Sequence, residues 1–238
     1  MNETMKDIYI KGEYLSRNPT WGEEDSPWKA KQILAMIKKH NLLPRSICEV
    51  GCGAGEILNQ LYGELPDYVS FTGYEISPHA YERSKVKIKE RLQFYLRDFL
   101  QETNYYDVLL VIDVVEHVED YYNFLRVIRK RADYKIFHIP LDISVQKILL
   151  NTPIHRRKSF GHIQYFTKET AVATLEDTGY EIVDLFYTSI LLDTPAKSPI
   201  YLLGKLGLRI STTVLRTIFN EDVAVRLLGG HSLLVLAK

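Results

Sequence analysis

The chain has 238 residues, 46% of them hydrophobic and 25% charged, enough for one large globular domain or two small ones. Lys and Arg total 30, as do Asp and Glu, so the zero formal net charge gives no global attraction to nucleic acid or an anionic membrane. No run of about 20 apolar residues suggests a spanning helix; residues 1–10 lack the apolar core of a signal peptide, and the two cysteines, Cys48 and Cys52, read as free thiols. The expected location is cytoplasmic.

Asp25-Ser26-Pro27 supplies a helix start, and Trp28, Ile33, Leu34 and Ile37 recur at helical spacing until Asn41 and Pro44. A short buried strand follows at 46–50, then a glycine loop and a helix over 54–62. Residues 71–76 read as a second strand, Pro78 opens a charged helix to about 90, and 92–96 read as a third strand. Residues 108–112 are five apolar positions in a row, expected of a central strand covered on both faces. A helix from about 121 to 131 and a strand at 135–139 come next. Thr167 caps a helix to 178, Gly179 ends it, and strands at 180–187 and 232–237 complete the pattern. Alternating strands and helices predict an α/β protein with an open, mostly parallel seven-stranded sheet and helices on both faces. One domain over 1–238 is expected, with an N-terminal arm at 1–25 and substrate-side insertions at 141–166 and 188–230.

A strand entering Gly51-Cys52-Gly53-Ala54-Gly55 and then a helix lets backbone N–H groups approach a ligand closely. Glu75, 20 positions after Gly55, stands at the end of the next strand, where a carboxylate meets ribose hydroxyls of a nucleoside. The dinucleotide pattern needs glycine where this chain has Glu56, and a carboxylate there would repel a pyrophosphate. S-adenosylmethionine (SAM) carries no phosphate and has a sulfonium and an ammonium, so Glu49 and Glu56 are acceptable beside it.

The segment Ile47-Cys48-Glu49-Val50-Gly51-Cys52-Gly53-Ala54-Gly55 resembles the first motif of class I SAM-dependent methyltransferases. Gly73-Tyr74-Glu75-Ile76-Ser77 resembles their second motif, Arg97-Asp98-Phe99 the third, and residues 107–120 the fourth. The resemblance, closest to the ubiquinone-pathway O-methyltransferase branch, implies a Rossmann-like fold and SAM as cofactor, with S-adenosylhomocysteine (SAH) as product. It also implies that Glu49, Gly51, Cys52, Gly53 and Gly55 hold the methionine end with Asp113 beside it, and that Glu75 takes the ribose hydroxyls. By the same resemblance Asp98 meets the adenine amine, Ile76 and Phe99 sandwich its ring, and an aromatic arm including Trp28 closes over the cofactor. Glu49 departs from the pattern, where Asp is more usual.

Asp113-Val-Val-Glu116-His117 with the later His162 is the sharpest candidate for chemistry. The spacing resembles ubiquinone-pathway O-methyltransferases and small-RNA 2′-O-methyltransferases, which act on hydroxyls with a divalent cation. Glu116, His117 and His162 are therefore candidate metal ligands, and His117 and His162 candidate catalytic groups; the alternatives are capping, turn contacts and structural hydrogen bonds. His138, inside a strand, reads as a satisfied core histidine. His155-Arg156-Arg157-Lys158 either meets an anionic group on the substrate or is a solvated loop. Tyr9, Tyr14, Trp21 and Trp28 form a lid or a satellite core. Residues 200–219 fit a helical cap, a dimer contact or an interfacial helix, with Gly204 and Gly207 weakening a continuous helix.

The expected activity is methyl transfer to a hydroxyl of a small polar or glycosylated metabolite, anionic if the basic cluster meets it. The alternatives are an RNA 2′-O-methyltransferase and a SAM-binding protein without catalysis. No nucleic-acid partner is favoured, membrane contact is not expected, and either a monomer or a homodimer fits.

Overall fold

The computed structural model describes residues 5–193 and 199–238. Seven strands form one sheet: β1 (Ser46–Val50), β2 (Ser70–Glu75), β3 (Leu92–Leu96), β4 (Tyr106–Ile112), β5 (Ala132–Pro140), β6 (Ile182–Thr188) and β7 (Ser232–Ala237). Their order is β3-β2-β1-β4-β5-β7-β6, with β7 antiparallel to both neighbours and the remaining pairs parallel. This is the expected Rossmann-like arrangement. The chain order reverses beside β1, and the carboxyl ends of β1 and β4 open there into a crevice.

The helices in chain order are α1 (Met5–Ile10), α2 (Glu13–Arg17), α3 (Ser26–Lys39), α4 (Glu56–Glu64), α5 (Pro78–Ser84) and α6 (Tyr121–Arg129). After β5 come α7 (Val145–Leu149), α8 (Thr152–Phe160) and α9 (Lys168–Asp177). Between β6 and β7 lie α10 (Ile190–Asp193), α11 (Pro199–Ile218) and α12 (Glu221–Leu228).

Strand pleating sends alternate residues of β1 and β4 to opposite faces. Ile47, Val108, Leu110 and Ile112 pack with Ile33, Met36 and Ile37 of α3 and Leu58 and Leu61 of α4. Cys48, Val50, Leu109 and Val111 pack on the other face with Phe124, Leu125 and Ile128 of α6 and Leu175 of α9. Both cysteines are free and buried, as expected.

Several elements differ from their expected bounds. The helix after the glycine loop starts at Glu56, because Gly55 (φ 75°) is in the left-handed region that an L side chain resists. A Cβ on Gly55 would also lie 2.5 Å from the Phe94 ring. The helix expected from Pro78 to about 90 stops at Ser84, with a single tight turn over Lys85–Lys87. Lys87 is drawn inward there, bonding the Ala54 carbonyl at 2.8 Å and Glu23 at 2.5 Å. The basic cluster 155–158 is helical within α8, not a loop. α11 runs through Gly204 and Gly207 without a break.

Candidate functional site

A cavity of about 900 Å³ opens at the carboxyl ends of β1, β2, β4 and β5, bounded by the N-terminal arm and the insertion after β5. Its walls divide into two ends of different chemistry.

At one end, the glycine loop turns after β1 with Gly51, Gly53 and Gly55 all at positive φ. Gly51 and Cys52 donate to the Tyr74 carbonyl, at 2.8 and 3.0 Å, and so tie the loop to β2. The Glu75 carboxylate accepts from the N–H of Gly53, Ile76 and Ser77, each at 2.8 Å. Burial pushes Glu75 up, and these three bonds oppose the shift without cancelling it. Glu49, also buried, keeps one carboxylate oxygen without a hydrogen-bond partner. Burial drives its carboxyl well above the usual range, against a weaker pull from Lys29.

Asp113 ends β4 at φ 53°, in the left-handed region that Asp tolerates better than most side chains. Its carboxylate contacts Lys29 Nζ at 2.6 Å and His138 Nδ1 at 2.5 Å, while His138 Nε2 meets the Thr188 hydroxyl at 3.0 Å. Burial raises the Asp113 carboxyl, but His138 and Lys29 outweigh it and leave the group strongly acidic. His138 is thus buried and doubly bonded, as a core histidine should be, and it also lines the cavity.

At the other end, β5 runs into Asp142. The His162 Nδ1–H donates to Asp142 Oδ2 at 2.6 Å, and Lys147 Nζ donates to Asp142 Oδ1 at 2.8 Å. Arg156 Nε lies 3.8 Å from the same oxygen. Burial raises Asp142, yet His162 and Lys147 together hold it far below the usual carboxylate range. The His117 ring meets the His162 ring edge-on at 4.9 Å, and its Nδ1 lies 2.8 Å from the Tyr9 hydroxyl and 3.1 Å from the Gly161 carbonyl oxygen. Burial pushes His117 down to about 4, with His162 adding to the fall. Glu116 is fully buried, with neither carboxylate oxygen hydrogen-bonded. Burial, reinforced by Asp113, drives it well above its ordinary range. Glu116, His117 and His162 each offer a ligand atom, all within 4.8 Å of one another.

Of the expected site residues, Trp28, Glu49, Gly51, Cys52, Gly53, Glu75, Ile76, Asp113, Glu116, His117 and His162 line this one cavity. Three do not. Gly55 faces Phe94 and serves loop packing. Phe99 is buried, packed on Tyr74 and Tyr106, whereas its neighbour Leu100 lies on the cavity wall. Asp98 caps the short turn Phe99–Gln101 by accepting from Leu100 N, and lies off the wall. The arm joins the site through Tyr9, Tyr14 and Trp21. Two bonds tie it to α8, from Arg17 to the Lys158 carbonyl and from Asn18 to the Ser159 carbonyl.

Lys29 and Asp142 were missed from sequence. Lys29 sits four residues before Ile33 and seven before Met36, so the helical period places a cation on the buried face of α3. Asp142 follows the end of β5, as Asp113 follows the end of β4, and that repeated placement was a readable signal.

Loop, sheet order and cavity together define the class I SAM-dependent methyltransferases. The chain belongs to the methyltransferase-domain family, whose model matches residues 23–185. No curated protein matches the chain. Solved structures share its fold at low identity. Magnesium protoporphyrin IX methyltransferase from Synechocystis with bound SAM is 14% identical at TM-score 0.63, covering 99% of this chain and 97% of that one. A putative methyltransferase from Haloferax volcanii, in complex with the Trm112 activator, is 14% identical at TM-score 0.67, covering 98% and 96%. The plantazolicin methyltransferase, in complex with a desmethyl substrate analogue and SAH, is 16% identical at TM-score 0.61, covering 98% and 92%.

Proposed function

We propose that this chain transfers the methyl group of SAM to a hydroxyl of a small polar or glycosylated metabolite bearing an anionic group. SAM lies at the carboxylate end: Glu75 takes the ribose hydroxyls, Ile76 and Leu100 flank the adenine, and Glu49 and Asp113 face the methionine portion. Glu49 supplies an oxygen with no partner of its own, and a cationic cofactor favours its charged form.

The observation that carries the hydroxyl reading is the Asp142–His162 pair. With Nδ1 bonded to the carboxylate, His162 takes the acceptor's proton at Nε2 as general base, and Asp142 stabilises the imidazolium that forms. Displacement at the sulfonium methyl needs an aligned oxygen and little else, so positioning and proton removal are the protein's share. The arm's aromatic residues exclude water from this transfer. A cavity open beside these groups disfavours a SAM-binding protein without catalysis.

A second reading follows from Glu116, whose buried carboxylate accepts no hydrogen bond and has His117 Nε2 only at 3.9 Å, and so fits a cation. Glu116, His117 and His162 would hold a divalent transition metal, which would lower the pKa of the acceptor hydroxyl. That cluster is also what favours an RNA 2′-hydroxyl as the alternative acceptor.

The deciding experiment is turnover of His162→Ala with SAM and hydroxyl acceptors, with and without chelator. A kcat fall of about 10²–10⁴ with SAM affinity retained is expected for the base reading, with wild type indifferent to chelator. Wild-type activity lost to chelator and restored by metal selects the second reading. Full turnover by the variant ends both.

A further inference from the structure

The two substrate-side insertions, residues 141–166 and 188–230, carry nine basic residues against the four acids Asp142, Asp193, Glu221 and Asp222, and each contains a long stretch without any acid. Residues 143–160 hold Lys147, Arg156, Arg157 and Lys158, and residues 199–220 hold Lys205, Arg209 and Arg216, with no Asp or Glu in either stretch. Seven of the 30 basic residues and none of the 30 acidic ones lie there, so the remainder of the chain carries an excess of seven acidic groups. Zero net charge conceals a polarised molecule.

These stretches also expose large apolar side chains. On α11, Leu206, Ile210, Val214 and Ile218 recur every four residues along one side, each 47–65% exposed, and Phe219 extends the row. Around α7 and the start of α8, Val145, Ile148, Leu149, Leu150 and Ile154 are exposed, Leu149 at 80%. α12 packs against both α7 and α11 and so joins the insertions. The first insertion also reaches the cavity, where Lys147, Arg156 and Phe160 form part of the acceptor end.

We propose that the two insertions form a docking surface for an anionic phospholipid membrane, on the side from which the acceptor enters. Apolar residues rowed beside an excess of cations are the composition of a helix lying in a bilayer interface, and although Arg216 pairs with Glu221, Arg157 and Lys158 stand exposed on α8. Charge selects this occupant over a second copy of the chain, because two such faces would oppose like charge to like. No helix among the described residues is long and apolar enough to cross a membrane, so the contact is peripheral. This was not expected from net charge, since the total hides the two basic segments. The docking surface stands independently of the hydroxyl reading, because its test reads no turnover.

The full-length protein is floated with vesicles of phosphatidylcholine alone and of phosphatidylcholine and phosphatidylglycerol in equal parts. Binding to the anionic vesicles, weakened by salt and absent from neutral ones, is expected. Arg157→Glu with Lys158→Glu should lower the partition coefficient about tenfold or more. Leu149→Ser with Ile210→Ser should lower it comparably, while SAH binding by calorimetry stays unchanged in both variants and so certifies the fold. No flotation with anionic vesicles overturns the proposal. So does flotation that ignores these substitutions, or a dimer in solution that the apolar pair of substitutions dissolves.

Discussion

The cavity has a carboxylate end and an imidazole end, and the two are built differently. At the first, Glu75 and Asp113 stand at strand ends, the one held by backbone N–H groups and the other by Lys29 and His138. At the second, His117 and His162 come from a tight turn and an insertion, and are held by Asp142, Tyr9 and a loop carbonyl. The sheet therefore fixes the carboxylate end rigidly, whereas the imidazole end depends on segments that can change without disturbing the sheet.

The largest effect should come from breaking the carboxylate end. Asp113→Ala would leave Lys29 and His138 partly desolvated without their shared anion. Removing one partner of such a cluster costs about 3–5 kcal/mol, far more than an exposed ion pair. Urea unfolding should show that loss, together with weakened SAM binding. A loss under about 1 kcal/mol would mean that packing rather than charge holds this end.

The imidazole end should reveal itself through pH. His117 has its pKa lowered from 6.5 to about 4 by burial, with His162 adding to the fall. Between those values the unfolded chain binds a proton that the folded one refuses, so stability rises with pH across that window. Its contribution is present above pH 6.5 and is lost as pH falls toward 4, amounting to about 3 kcal/mol. Denaturant unfolding of ligand-free protein should show this slope, and His117→Gln should flatten it relative to wild type. An unchanged slope would place the proton uptake elsewhere.

How much was legible in advance follows the same division. Strands β1, β2 and β4 announced themselves by apolar runs and Glu75 by its place at a strand end, whereas Glu49 and Asp113 were expected from the motif resemblance; all three line one cavity, because a parallel sheet gathers its carboxyl ends at one edge. A motif position does not say whether a ring points to ligand or core, and the Phe99 ring packs on Tyr74 and Tyr106. Residues 155–158 read equally as an anion contact or a solvated loop, and their helicity rests on Pro153 in the first turn of α8 and Gly161 at its end rather than on an apolar period. Asp142 gained its meaning only when folding brought His162 to it across 20 residues, a pairing that no local period encodes.

Arg156 tests the finest part of the comparison, the sign of charge at the acceptor end. Asp142 is shared by His162, Lys147 and Arg156, so this carboxylate faces two basic side chains and an imidazole, while Glu116 nearby stays without a hydrogen bond. Lys147 is committed to Asp142 and the Leu141 carbonyl, while the Arg156 guanidinium lies over the Phe160 ring on the cavity wall, with its contact to Asp142 at 3.8 Å. A planar fork held so loosely is the natural partner for a carboxylate or phosphate of the acceptor. Arg156→Ala should therefore raise KM for an anionic acceptor about tenfold or more, as expected for a lost hydrogen bond to a charged group, with little change in kcat. A neutral analogue of that acceptor should be turned over equally well by variant and wild type. Equal KM increases for both acceptors would show that Arg156 shapes α8 rather than reading charge.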